Sequence, residues 1–186
     1  MASFEVQEHQ AGPEGLIVVA KTWHGLVLAR ELATSWPFMT QAYRRDQAEG
    51  WIDVNAAHPE IQARDREELI RALAAPVPDT DHPLWQHFES TLVVDVVSKW
   101  SATESWCWAT DPRPAAPDQE VVLLFDPAGA ELETLSDGRT VIPYKQKLPR
   151  YMAILMDHAG VDQDLVPVEI GGMTNRWRVA GFELQA

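Results

Sequence analysis

Hydrophobic and polar positions change rhythm twice along the chain. "SFEVQE" sets Phe4 and Val6 against polar neighbours, the two-residue period of a half-buried strand. "GPEG" then turns the chain into "LIVVA", a continuous apolar run suited to a central strand. "KTWHGLVL" allows a hairpin, with Gly25 supplying positive φ, but Leu28 and Leu32 in "LVLARELA" recur at helical spacing, and the favoured reading is a helix through Ala33 that stops before Pro37. "SWPFMTQAYRRDQAEG" predicts a second helix, with Ser35 as its cap, Pro37 in its first turn and Gly50 beyond its end. "WIDV" reads as a short strand. The clearest helix is "HPEIQARDREELIRALAA", where Pro59 suits the first turn and Glu60 favours the positive end of the helix dipole. Its apolar stripe is Ile61, Leu69, Ile70 and Leu73, and its solvent side offers Arg64–Glu68 and Glu67–Arg71 pairs worth about 0.3 kcal/mol each.

The proline-dense stretch "PVPDTDHP" separates this helix-rich part from one dominated by strand-like runs. Those runs are "TLVVDVV", "WCWAT", "VVLLF", "LETL", "TVIPY", "LVPVEI" and "RWRVAGFEL", with turn signals at "DPAG", "SDG" and "GGMTN". The segment from "VVLLF" to "TVIPY" has the look of a three-strand meander, with Pro143 confined to an edge. A single helix interrupts, "LPRYMAILMDHAG", from Pro149 to Gly160. The expected class is α+β, a mainly antiparallel sheet with helices packed on one face. The expected organisation is one domain over 1–186: helix-rich 1–75, a connector 76–83 and strand-rich 84–186.

Composition narrows the setting. With a net charge of -13 over 186 residues and a pI near 4.7, the chain is poorly suited to nucleic acid or anionic membranes, which reward Lys and Arg. A basic protein partner is the better match. The single cysteine, Cys107, rules out an internal disulfide and fits a reducing compartment. "MASFEVQEHQ" shows no basic start followed by an apolar run, and no apolar stretch approaches the ~20 residues that span a bilayer. The expected location is the cytoplasm. Eight tryptophans exceed what a core of this size needs, which suggests that some lie at a binding surface.

Candidate chemistry is sparse. "DTDHPLWQHFE" gathers Asp79, Asp81, His82, His87 and Glu89, but His82 and His87 are five apart, about 140° around a helix, so regular turns cannot aim both at one ion. Trp85, Phe88 and Leu92 share one face, and Asp81 or Thr80 with Pro83 makes a helix entrance; the stretch reads as structural. Asp95, on a strand face with Val93 and Val97, would be a desolvated carboxylate fit for acid–base work unless that face is wet or an arginine pairs with it. Cys107 would point away from Trp106 and Trp108, without a local base, and reads as a small hydrophobe. Asp157 and His158 are neighbours that, on a helix, would not face each other. Charge is segregated: only acids occur from Asp118 to Asp137, and then Arg139, Lys145, Lys147 and Arg150 follow without an acid.

These observations lead to an acidic protein-binding module, of immunity or inhibitor type or a structural part of a larger assembly such as a phage particle. Its binding residues would be Trp106, Trp108, Glu131, Glu133, Lys145, Lys147 and Arg150, with no catalytic residue, metal or cofactor. The alternative is a small enzyme acting on an anionic substrate through the Lys/Arg patch with Asp95 or a histidine. The His82–His87 spacing carries its own test: elemental analysis of the purified protein should show no stoichiometric zinc, and a chelator should leave its melting temperature unchanged. One transition ion per chain would refute the structural reading of residues 79–89.

Overall fold

Leu16, Val19, Ala20, Trp23 and Val27 are all buried and fall on one face at helical spacing, which winds Pro13–Leu28 into helix α1. In this computed structural model the described residues are 13–99, 106–111, 119–128, 133–134, 136, 140–141, 150–158 and 168–185. The strand expected at "LIVVA" is therefore helix. The run is apolar throughout, but Ile17 and Val18 are only half-buried, and the period that matters extends over sixteen residues. Helix α1 also ends before Ala33. Arg30 adopts a left-handed φ of 63°, its N–H donates to the Val27 carbonyl, and the Glu31 N–H donates to the Leu26 carbonyl. That pair of reversed bonds is a Schellman stop. A short helix α2 (Leu32–Ser35) and a 3-10 turn at Trp36–Phe38 follow.

Helix α3 (Gln41–Val54) is capped by Thr40, whose Oγ1 accepts from the Tyr43 N–H at 3.1 Å; Ser35, the expected cap, instead donates to the Leu32 carbonyl. The helix runs through Gly50 and absorbs "WIDV" into its last turn, with Trp51 and Ile52 buried, so both the expected stop and the expected strand are corrected. The long helix expected after Pro59 breaks in two, α4 (Pro59–Gln62) and α5 (Arg66–Leu73), because the Asp65 carboxylate caps α5 by accepting from the Glu68 N–H at 2.9 Å. Its stripe of Ile61, Leu69, Ile70 and Leu73 is buried as expected. Glu67 is taken by Arg45 of α3 at 2.9 Å, and Arg66 reaches Asp53 at 2.6 Å.

Helix α6 (Trp85–Lys99) replaces the strand expected at "TLVVDVV", which removes the strand-face argument for Asp95. Leu84, Trp85 and Phe88 are buried with Leu92 packed beside them, and the valines continue a helix that this stripe has already started.

Strands β1 (Cys107–Asp111), β2 (Gln119–Phe125), β5 (Tyr151–His158) and β8 (Trp177–Gln185) form an antiparallel sheet in the order β1-β2-β5-β8. Strand β5 was expected to be a helix. Met152, Ile154 and Met156 join the helix-side core while Ala153 is buried on the other face, so the strand lacks the alternation that would mark it. The expected meander is also revised: β3 (Glu133–Thr134) pairs with β4 (Thr140–Val141), whereas β2 pairs with β1 and β5. A further hairpin joins β6 (Val168–Ile170) to β7 (Met173–Asn175) through Gly171 and Gly172, both at positive φ as a tight two-residue turn requires. The "SFEVQE" strand, Pro143, Pro149 and Gly160 lie outside the described residues.

The result is an α+β fold with helices along the N-terminal part and the antiparallel sheet in the C-terminal part. Val122, Leu124, Met152, Ile154, Met156 and Val179 meet the helices on one face of the sheet. Val121, Leu123, Phe125 and Ala153 form a second buried cluster on the other. Two polar bonds fix the layers: the Thr40 N–H donates to the Val179 carbonyl at 2.9 Å, and the Asn175 Nδ2 donates to the Gly15 carbonyl at 3.2 Å. No helix among the described residues is long and apolar enough to cross a membrane. Left-handed backbone at a non-glycine residue is costly, so Arg30→Gly should stabilise the protein by about 0.5–1 kcal/mol, whereas Arg30→Ala should not. Urea denaturation of the two variants is the measurement, and a stabilising Arg30→Ala would contradict the α1 stop.

Candidate functional site

The expected docking surface depends on where the tryptophans lie. Trp23, Trp36, Trp51, Trp85, Trp106 and Trp177 are buried, and Trp108 is half-buried. Trp106 and Trp108 flank β1 on its helix-side face, and Cys107 turns to the second cluster, as the alternation predicts. Each of the two tryptophans carries a cation. The Arg150 guanidinium sits 5.5 Å from the Trp106 ring centre, and the Lys21 Nζ lies 5.9 Å from that of Trp108. The fold thus brings Trp106 and Arg150 together from separate segments. Glu133 is exposed on β3; Glu131, Lys145 and Lys147 lie outside the described residues.

A polar group missed by sequence reading closes one end of the sheet. Gln119, Asp157 and Arg178 stand opposite one another across β2, β5 and β8, and Asp111 on β1 faces Val121, two residues from Gln119. Asp111 and Arg178 are buried. The Arg178 Nη1 donates to the carbonyls of Asn175 at 2.7 Å and Trp177 at 2.8 Å. Burial, and then the nearby Arg44 charge, push this guanidinium down to about 10. The Asp157 Oδ1 is enclosed without a hydrogen-bond partner. His158 points to the other face and stacks edge-on against Trp177 at 5.0 Å, so the two neighbours form no dyad. No sequence motif marks this row, because cross-strand register alone assembles it.

His24 is the second omission. It is 6% exposed on α1, its Nε2 has no partner, and its ring meets Trp108 edge-on at 5.6 Å. Burial pushes its imidazole down to about 4. It serves as a neutral core residue.

The helices carry a charged surface. Residues 41–89 hold ten acids and five arginines. None of the ten acids is buried, while Arg44 turns inward and donates to the Ala74 carbonyl at 3.0 Å and the Met39 carbonyl at 2.5 Å. Arg45 is held between Glu49 and Glu67, and Arg66 by Asp53. Three of the five arginines are thereby engaged within the fold. Two large apolar side chains stand out on the same part of the chain, Val54 at the end of α3 (85% exposed) and Val77 after α5 (65% exposed). Among the described residues no three of His, Cys, Asp and Glu gather into a metal-binding group.

The chain is thus an α+β protein with an acidic helical surface and a polar-ended sheet. Comparison with known proteins returned no matching family model, no matching curated protein and no matching solved structure.

His24 sets a dependence on pH. The folded protein keeps this imidazole neutral down to about 4, whereas in the unfolded chain it protonates near 6.5. Below 6.5 the unfolded state binds the extra proton, so the contribution of His24 is complete above 6.5 and is lost as pH falls toward 4, by about 3 kcal/mol. Urea melts across this range should show that loss in the native protein and a smaller loss in His24→Leu. Equal losses in both would assign the dependence elsewhere.

Proposed function

We propose that the chain is a protein-binding module that meets a basic partner through the acidic surface of α3, α4 and α5. One observation carries this reading: the acids of residues 41–89 all reach the surface while Arg44 is withdrawn into the core. A surface of this kind steers a basic partner and suppresses acidic ones. With six of the described tryptophans buried and Trp108 half-buried, the apolar part of the contact moves to Val54 and Val77, which are exposed close in the chain to Asp53 and Asp79. The single, half-buried Cys107 suits a reducing compartment, and a cytoplasmic immunity- or inhibitor-type role is the form we favour, with an assembly component as its variant.

Charge reversal tests the reading. A partner captured from source-cell lysate should be basic. Its association rate should fall by about tenfold or more with the triple variant Asp46→Lys, Glu60→Lys, Glu68→Lys, and should fall with rising salt as the Debye length shrinks to about 8 Å at 0.15 M. Unchanged circular dichroism would show that the variant is folded. Association indifferent to both salt and charge reversal would overturn the proposal, and so would retention of a small anion in place of a protein.

A further inference from the structure

Helix α4 is a single turn with one buried side chain, Ile61, and a turn of that length cannot sustain itself. Histidines surround it. His58 is its N-cap, and its Nδ1 accepts from the Glu60 N–H at 3.3 Å. His82 repeats the arrangement at the entrance to α6, where its Nδ1 accepts from the Leu84 N–H at 3.3 Å. His87, on α6, lies 5.8 Å from the His58 ring and 5.5 Å from that of Trp51. We propose that the 79–84 turn, whose His82 lies beside Glu60 of α4, is an acid-releasable clasp at the entrance to α6, closed while His82 is neutral and opened when it takes up a proton.

The chemistry follows from which atom carries the bond. An imidazole accepts only through an unprotonated ring nitrogen, so protonation turns the His82 Nδ1 from acceptor to donor and orphans the Leu84 N–H it served. Around His82, Glu60 of α4 and Asp79 favour the charged form, while burial and Arg64 oppose it. Burial is the largest of these influences, and His82 is held below the ordinary imidazole value of 6.5. The α3 neighbour of His87, Trp51, carries no charge. The clasp therefore stays shut at neutral pH and yields on acidification, whatever binds the surface beside it.

Amide hydrogen exchange distinguishes this local opening from general weakening. Between about pH 7.5 and about pH 5.5, protection of the Leu84 and Trp85 amides, corrected for intrinsic exchange, should fall about fivefold or more beyond any change at Ile154 in β5. Asparagine caps a backbone N–H without titrating, so His82→Asn should preserve protection at Leu84, alone and combined with His58→Asn. Native amides that merely track Ile154 would overturn the proposal. Asparagine variants that lose protection as steeply as the native protein would do the same.

Discussion

Burial of one helical stripe organises the molecule. Helix α1 touches all four strands of the main sheet as well as α2 and α6. Its inward residues, from Leu16 to Val27, cover the face presented by Val122, Leu124, Met152, Ile154 and Met156. That apolar face would otherwise be open to water, and the helices would lose the surface they pack on. The ends of α1 are fixed by different means. Asn175, the last residue of β7, donates to the Gly15 carbonyl at one end, and the reversal at Arg30 turns the chain into α2 at the other.

The aromatic residues form a second, mostly helical, centre. Trp36 meets Trp85 and Phe88 at near-right angles, and Trp51 meets Phe88 in the same way, with ring centres 5.4 to 5.6 Å apart. The buried indole N–H groups of Trp36, Trp51 and Trp85 have no conventional acceptor. Perpendicular packing sets ring edges against ring faces, a weak substitute for a hydrogen bond. Tryptophan excess and acidity, which together suggest a docking surface in the sequence, are separated by the fold: the described tryptophan rings are buried or half-buried, and the carboxylates of residues 41–89 stay outside.

The sequence shows the class, the Ile61–Leu73 stripe and the β1, β2 and β8 strands, because these depend on local period. It misleads where a segment's environment breaks that period. Strand β5 is buried on both faces and so resembles a helix, while α1 and α6 contain β-branched runs that resemble strands. Less of the candidate site is legible. The pairing of Arg150 with Trp106 joins residues more than forty positions apart, and the Gln119–Asp157–Arg178 row exists only once three strands are in register. The acidity of residues 41–89 can be counted from the sequence, but the withdrawal of Arg44 cannot, since it depends on carbonyls at Met39 and Ala74 that tertiary packing brings together.

Two opposing electrostatic effects determine where such a protein is most stable. Falling pH reduces the net charge of -13 toward zero near 4.7 and relieves repulsion among exposed carboxylates. Those groups are solvated, and beyond about 8 Å salt screens them, so each contributes little. His24 acts in the opposite direction from inside the core, where screening is weak and protonation must overcome burial. His82 adds to the same side, since burial also holds it below its ordinary value. One desolvated imidazole outweighs several screened surface pairs, so stability should peak well above the isoelectric point, in the range where both histidines are neutral in the folded and the unfolded chain alike.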